Sequence, residues 1–245
     1  MPTSAPLSSP PLSTLHSQPL RESWWVRHGE SVGNAGERTR DPGSYSLTAR
    51  GFAQAAAFAG HLPRSPALIV TSPYVRARAT AEPTIARFPA VPVEEWPIQE
   101  ITFLAPERCL DTTQVERRLM AREYWARFDP DSTDGPGAES FAHTVDRARV
   151  ALAHLRRRPE PFILIFSHAV FMRIMHWVAL TQRPRIDGEA MRLCYEFIRG
   201  WDIPNCGVLP MLASPDGQLY TGPVSDPTGT AGEPANAEQI ALSGL

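Results

Sequence analysis

The chain of 245 residues contains no lysine; all 24 of its basic residues are arginine. Without an amine side chain, neither Schiff-base chemistry nor a P-loop lysine is available. Any anion in a site must be held by guanidinium, whose planar fork can grip an oxyanion with two parallel bonds. A G+C-rich coding sequence accounts for the bias itself. Cysteine is scarce too: Cys109, Cys194 and Cys206 form no CxxC pair. That argues against a disulfide framework or zinc knuckle and favours a reducing compartment. No apolar run approaches the ~20 residues of a membrane span. The N-terminus lacks the basic and apolar regions of a secretory signal, so a cytoplasmic location is expected. Net charge is only −2, so neither nucleic acid nor an anionic membrane is an expected partner. Charge is sparse in the tails. Residues 1–20 carry no Asp, Glu or Arg, and residues 222–245 carry only Asp226, Glu233 and Glu238. Both tails read as disordered, leaving residues 21–221 as a single domain.

What is present is an alternation of strand and helix. Residues 23–26 form a short apolar run entering a polar loop. Thr48 is placed to cap a helix to about Leu62, with Phe52, Ala55, Ala56, Ala59 and Leu62 at helical spacing. Residues 67–71 (ALIVT) read as a buried strand. Ser72-Pro73 then reads as an N-cap and first helical residue, opening a helix to about Phe88 that is disturbed at Pro83. Residues 91–96 read as a third strand. Asp111 is placed to cap a helix to Phe128, and DPDSTDGPG is a break. Phe141, Val145, Ala148, Leu152 and Leu155 mark another helix, with Glu139 at its start. Residues 162–166 (FILIF) are a strand, residues 169–180 a helix, and 208–213 with 218–221 a hairpin. Continuous apolar strands between helices imply an α/β three-layer sandwich, with a mostly parallel central sheet covered on both faces.

In such sheets, reactive groups collect at the carboxyl ends of the strands. His28 follows the first strand and His168 follows FILIF and Ser167. Arg76 lies one turn into the helix after ALIVT, and Glu100 follows the third strand. Two histidines, Arg27, Arg76 and a carboxylate therefore converge on one edge. An imidazole nucleophile, guanidinium for oxyanions and a carboxyl group for proton transfer make chemical sense together. His61, His143, His154 and His176 lie on helices without metal-ligand spacing. Arg117-Arg118 reads as a solvated helix face. Ser167-His168 lacks a G-x-S-x-G elbow, which argues against a serine hydrolase.

Arg27-His28-Gly29-Glu30 with Asn34 six residues after the histidine resembles the signature of the histidine phosphatase superfamily, in its phosphoglycerate mutase-like branch. The resemblance continues in order through Leu47-Thr48-x-x-Gly51-x-x-Gln54-Ala55, Ser72-Pro73-Tyr74-Val75-Arg76-Ala77-x-x-Thr80-Ala81, Gln99-Glu100-Ile101, Gly137-Ala138-Glu139-Ser140-Phe141 and Ser167-His168. It implies ping-pong phosphoryl transfer. His28 would carry the phosphoryl group. Arg27, Asn34, Arg76 and His168 would hold its oxygens, and Glu100 would protonate the leaving alcohol and then activate water. Neighbouring Arg27 and Arg76 also disfavour protonation of His28, keeping it nucleophilic. No metal and no other cofactor is expected, since arginine supplies the positive charge that Mg²⁺ supplies in other phosphoryl-transfer sites.

The expected activity is a phosphomonoester phosphatase with a small-molecule substrate. The alternatives are a phosphoglycerate mutase and, from another class, a catalytically weak phospholigand-binding or scaffold protein. A homodimer is the oligomeric alternative left open. One position departs from the family: Ala169 follows the second histidine where glycine is common, which raises the question of an unusual torsion or a narrowed phosphate pocket.

Overall fold

The computed structural model describes residues 20–229. Its centre is a six-stranded sheet in the order β3-β2-β4-β1-β5-β6. The strands are β1 (Arg21–Arg27), β2 (Leu68–Thr71), β3 (Val93–Glu95), β4 (Phe162–Ser167), β5 (Val208–Ala213) and β6 (Leu219–Thr221). β3, β2, β4 and β1 run parallel, and β5 and β6 add an antiparallel edge. Six helices accompany them: α1 (Ala49–His61), α2 (Val75–Arg87), α3 (Gln114–Ala126), α4 (Phe141–Arg157), α5 (Ala169–Thr181) and α6 (Gly188–Arg199).

Alternation along the strands assigns the layers. Phe162, Leu164 and Phe166 of β4, with Val26 and Ile69, pack against Phe58 of α1 and Ala81 of α2. Ile163 and Ile165, with Trp25, Leu68 and Val70, face the other way into a larger core shared with α3, α4, α5 and α6. All six residues of β4 are buried, so this strand has no solvent face and reads as a continuous apolar run. Each large side chain buried here, such as Trp25, Phe58 or Phe166, contributes about 1.5–3 kcal/mol relative to exposure.

Several local expectations are corrected. Ser72-Pro73 does not open α2; Tyr74 is its N-cap and makes no side-chain capping bond. Ser72 is occupied elsewhere, with its Oγ 2.8 Å from His168 Nε2 and accepting from Tyr74 N. Asp111 adopts a left-handed φ of 55°, and α3 starts three residues later behind Thr113, which forms a reciprocal capping box with Glu116. Glu139 does not cap α4. Ser140 does, while Glu139 pairs through both oxygens with Arg147. Phe52 faces outward, 46% exposed, because α1 buries the stripe of Gly51, Gln54, Ala55, Phe58 and Ala59. The sequence reading missed α6 altogether; Asp187 caps it and Ala190, Met191, Cys194 and Ile198 are buried. Residues 222–229, assigned to the C-terminal tail, run beside β5, with Ser225 paired to Val208 through both backbone groups. The remainder of both tails, 1–19 and 230–245, lies outside the described residues.

Candidate active site

The register of two parallel strands builds the centre of the site. Arg27 of β1 pairs with Ser167 of β4, and His28 N donates to Ser167 O at 3.0 Å. The residues just beyond the two strands, His28 and His168, are therefore side by side, with ring centroids 5.1 Å apart. β2 lies on the far side of β4 and brings Ser72 against His168. The loop that carries His28 also lies hard against the start of α1. A Cβ on Gly29 would stand 2.6 Å from Gly51 O, and one on Gly51 would stand 2.0 Å from Glu30 O. Both motifs need glycine because two backbones meet there.

His28 is buried, and its environment fixes its tautomer. Nδ1 lies 2.7 Å from the carbonyl of Gly29, which can only accept, so the proton sits on Nδ1. Nε2 then carries the lone pair, and Arg76 Nε donates to it at 3.1 Å. Burial, then the charges of Arg76 and Arg27, hold this imidazole well below its ordinary pKa. Arg76 is buried and held on three sides. Nη1 donates to Pro42 O, and the guanidinium carbon lies 4.6 Å from the Tyr45 ring centre and 4.9 Å from that of Tyr74. Arg27 donates from Nη1 to Ile203 O and lies 3.6 Å from Asp202, whereas its Nε is buried without a partner among the described residues.

Glu100 reaches the site on the loop after β3, which Ser167 Oγ anchors by donating to Ile98 O at 2.7 Å. Its carboxylate accepts from Val170 N and Phe171 N at 3.1 and 2.8 Å, and from its neighbour Ile101 N. Glu100 thus caps the first turn of α5, whose own N-cap, His168, makes no side-chain capping bond. Asn34 presents its amide beside Ser31, which donates to Oδ1 from both N and Oγ.

Arg27, His28, Asn34, Arg76 and Glu100 line one open cleft. His168 is not in its wall; it lies behind His28, fully buried, with Nδ1 unpartnered among the described residues. Burial and the charge of Arg76 are the leading causes that keep it well below its ordinary pKa. Ala169 contributes a buried methyl to the cleft as the first residue of α5 and has no positive φ, so the position does not demand glycine. Tyr45, Ile101, Phe103 and Leu104 also line the cleft, together with Arg40 and Arg117. Arg117, read from the sequence as solvated, is partly buried and donates to Thr39 Oγ1 and to both oxygens of Thr112. Four arginines therefore share the cleft wall with a single carboxylate, which suits a dianionic ligand. Sequence reasoning also missed Ser72, Tyr45, Tyr74 and Thr102. Tyr74 Oη pairs with Thr102 Oγ1 at 3.1 Å, and burial raises its pKa. Among the described residues, no group of three or more His, Cys, Asp and Glu is arranged to hold a metal ion, and no helix is long and apolar enough to cross a membrane.

A buried neutral imidazole with its lone pair toward an arginine-lined cleft at strand ends defines an α/β enzyme suited to phosphate esters. The chain belongs to the histidine phosphatase superfamily (branch 1), whose profile matches residues 23–194, and it is an enzyme of the histidine phosphatase type. Solved structures share the fold. The alpha-ribazole phosphatase from Shigella flexneri is 21% identical with a TM-score of 0.64, the match covering 84% of this chain and 96% of that one. Phosphoserine phosphatase from Entamoeba histolytica, complexed with 3-phosphoglyceric acid, is 18% identical with a TM-score of 0.62 over 84% of this chain and 96% of that one. A mycobacterial glucosyl-3-phosphoglycerate phosphatase is 20% identical with a TM-score of 0.62 over 83% and 97%. No curated protein sequence matches the chain.

Proposed function

We propose that the protein hydrolyses small phosphomonoesters through a phosphohistidine, with His28 as nucleophile. The carrying observation is the state of that imidazole: Nδ1–H is tied to Gly29 O, and the Nε2 lone pair is met by Arg76 Nε at 3.1 Å. On substrate binding, Arg76 and Arg27 take the phosphoryl oxygens with the Asn34 amide, and Nε2 attacks phosphorus. The P–O bond to the alcohol breaks, and the departing oxygen takes a proton from Glu100. Glu100 then receives a proton from water as that water attacks phosphorus. The P–N bond breaks, releasing orthophosphate and the neutral imidazole. The guanidiniums supply the charge stabilisation, so the step needs no metal. His168 supports the site from behind, its Nε2 held 2.8 Å from Ser72 Oγ and its ring 5.1 Å from that of His28.

The test is His28→Ala with a panel of phosphomonoesters that includes 3-phosphoglycerate, scored for hydrolysis and for mutase turnover. Hydrolysis by the parent, its loss in the variant, and an acid-labile phosphoryl-enzyme on rapid quench are the expected results. An alanine variant that still hydrolyses would overturn the assignment.

A further inference from the structure

Between α6 and β5 the chain folds back on the residues that flank His28. Pro204 O accepts from Gly207 N at 2.7 Å, closing a tight turn in which Cys206 takes a left-handed φ of 58°. A Cβ on Gly207 would lie 2.7 Å from Pro204 O, so the turn is as close as glycine allows. The turn is pinned to β1, because Cys206 N donates to Arg27 O and Arg27 N to Gly207 O, both at 3.0 Å. This presents the side chain of Asn205 to the nucleophile loop.

The hydrogen bonds there leave no freedom in the direction of two amides. The His28 carbonyl can only accept, so the Asn205 atom 2.9 Å from it is Nδ2. The same Nδ2 lies 3.3 Å from the Asn34 side chain, which must answer with its oxygen. Ser31 N, 3.2 Å from that same Asn34 atom, can only donate and requires an oxygen too. Asn34 Oδ1 is thereby turned away from an anion, and Asn34 Nδ2 makes no bond among the described residues. We propose that Asn205 is a positioning residue: it ties the backbone of His28 to the Asn34 amide, so that Asn34 offers a donor to the phosphoryl oxygens. This rests on the phosphatase reading and deepens it.

The test is a double-mutant cycle on the full chain with Asn34→Ala, Asn205→Ala and the pair. The readouts are kcat and KM for p-nitrophenyl phosphate and the inhibition constant of orthophosphate, with Tm recorded for each variant. Asn34→Ala is expected to lower kcat/KM about 10- to 100-fold, as for a lost hydrogen bond to a charged group, and Asn205→Ala about 3- to 10-fold. Orthophosphate inhibition weakens in parallel. In the Asn34→Ala background, Asn205→Ala should cost less than about twofold, because the group it orients is gone. Asn205→Asp replaces the donor by an acceptor and is expected to be worse than Asn205→Ala. Losses that multiply in the cycle, an Asn205→Asp enzyme equal to the parent, or loss of fold in every Asn205 variant would each overturn the positioning role. A parent chain that neither hydrolyses p-nitrophenyl phosphate nor binds orthophosphate would instead refute the phosphatase reading, and this inference with it.

Discussion

Replacing Arg76 separates two things that its guanidinium does at once. It donates to His28 Nε2, and its charge is the second cause, after burial, of the lowered His28 pKa. In Arg76→Met the side chain keeps similar length, and the tyrosine rings that flank Arg76 still have a partner to pack against. The loss of an oriented donor to the transferring group is expected to lower kcat by about 10²–10³. The protonation balance should shift as well. A depressed pKa keeps Nε2 unprotonated at neutral pH, and activity fails only as pH falls through that pKa. Without Arg76 the pKa rises toward 6.5 and remains below it, because burial, the larger cause, is unchanged. The acid limb of the kcat/KM profile for p-nitrophenyl phosphate should therefore move up in pH. Arg76→Lys retains the charge and loses the fork, so its rate should fall while its acid limb stays near the parent position. Full pH–rate profiles of the three proteins decide the matter. An acid limb that is unmoved in Arg76→Met, or moved equally in both variants, would refute the electrostatic account.

Glu100→Gln retains an acceptor for the start of α5 and removes the exchangeable proton; kcat should fall far more for an alkyl phosphate than for p-nitrophenyl phosphate, whose leaving group needs little protonation. Glu100→Ala should in addition destabilise the fold by about 1 kcal/mol in urea unfolding, because the first-turn N–H groups of α5 lose their partner. His28 and His168 are held neutral when folded and take up protons near pH 6.5 when unfolded. Between the folded and unfolded values the unfolded chain binds more protons. Stability is therefore fully present above about pH 6.5 and declines below it, by up to about 1.4 kcal/mol per pH unit for each histidine. Urea midpoints at pH 7.5, 6 and 5 measure this, and His28→Phe should lessen the slope. Ala169→Gly should change kcat/KM less than about threefold and cost under about 1 kcal/mol of stability; a tenfold rise in kcat/KM would mean that the methyl narrows the phosphate pocket.

The sequence made legible what depends on local pattern. The apolar run of β4, the strand ends bearing His28 and His168, and the helix capped by Thr48 follow from periodicity and capping chemistry, and each is present. What escaped was decided by partners distant in the chain. Ser72 is a plausible cap until β2 and β4 pair and bring His168 to its hydroxyl, 96 residues away. Arg117 looks solvated until Thr39 folds across it. Asn205 carries no local signal at all, since its partner is the carbonyl of His28, 177 residues earlier. The missed helix α6 is the exception: Asp187 caps it, and Ala190, Met191, Cys194 and Ile198 form an apolar stripe at least as one-sided as that of α4, so its pattern was local and legible.

β1 lies inside the sheet, yet both strands that flank it, β4 and β5, come from the last third of the chain. During synthesis it therefore has two bare edges until residues 162–213 have emerged, with Trp24 and Trp25 on its two opposite faces. The strand that delivers His28 is made first and enclosed last. A truncated or stalled chain exposes a sticky ribbon and has no catalytic centre, so enzymatic competence is itself a report that translation has run past β5.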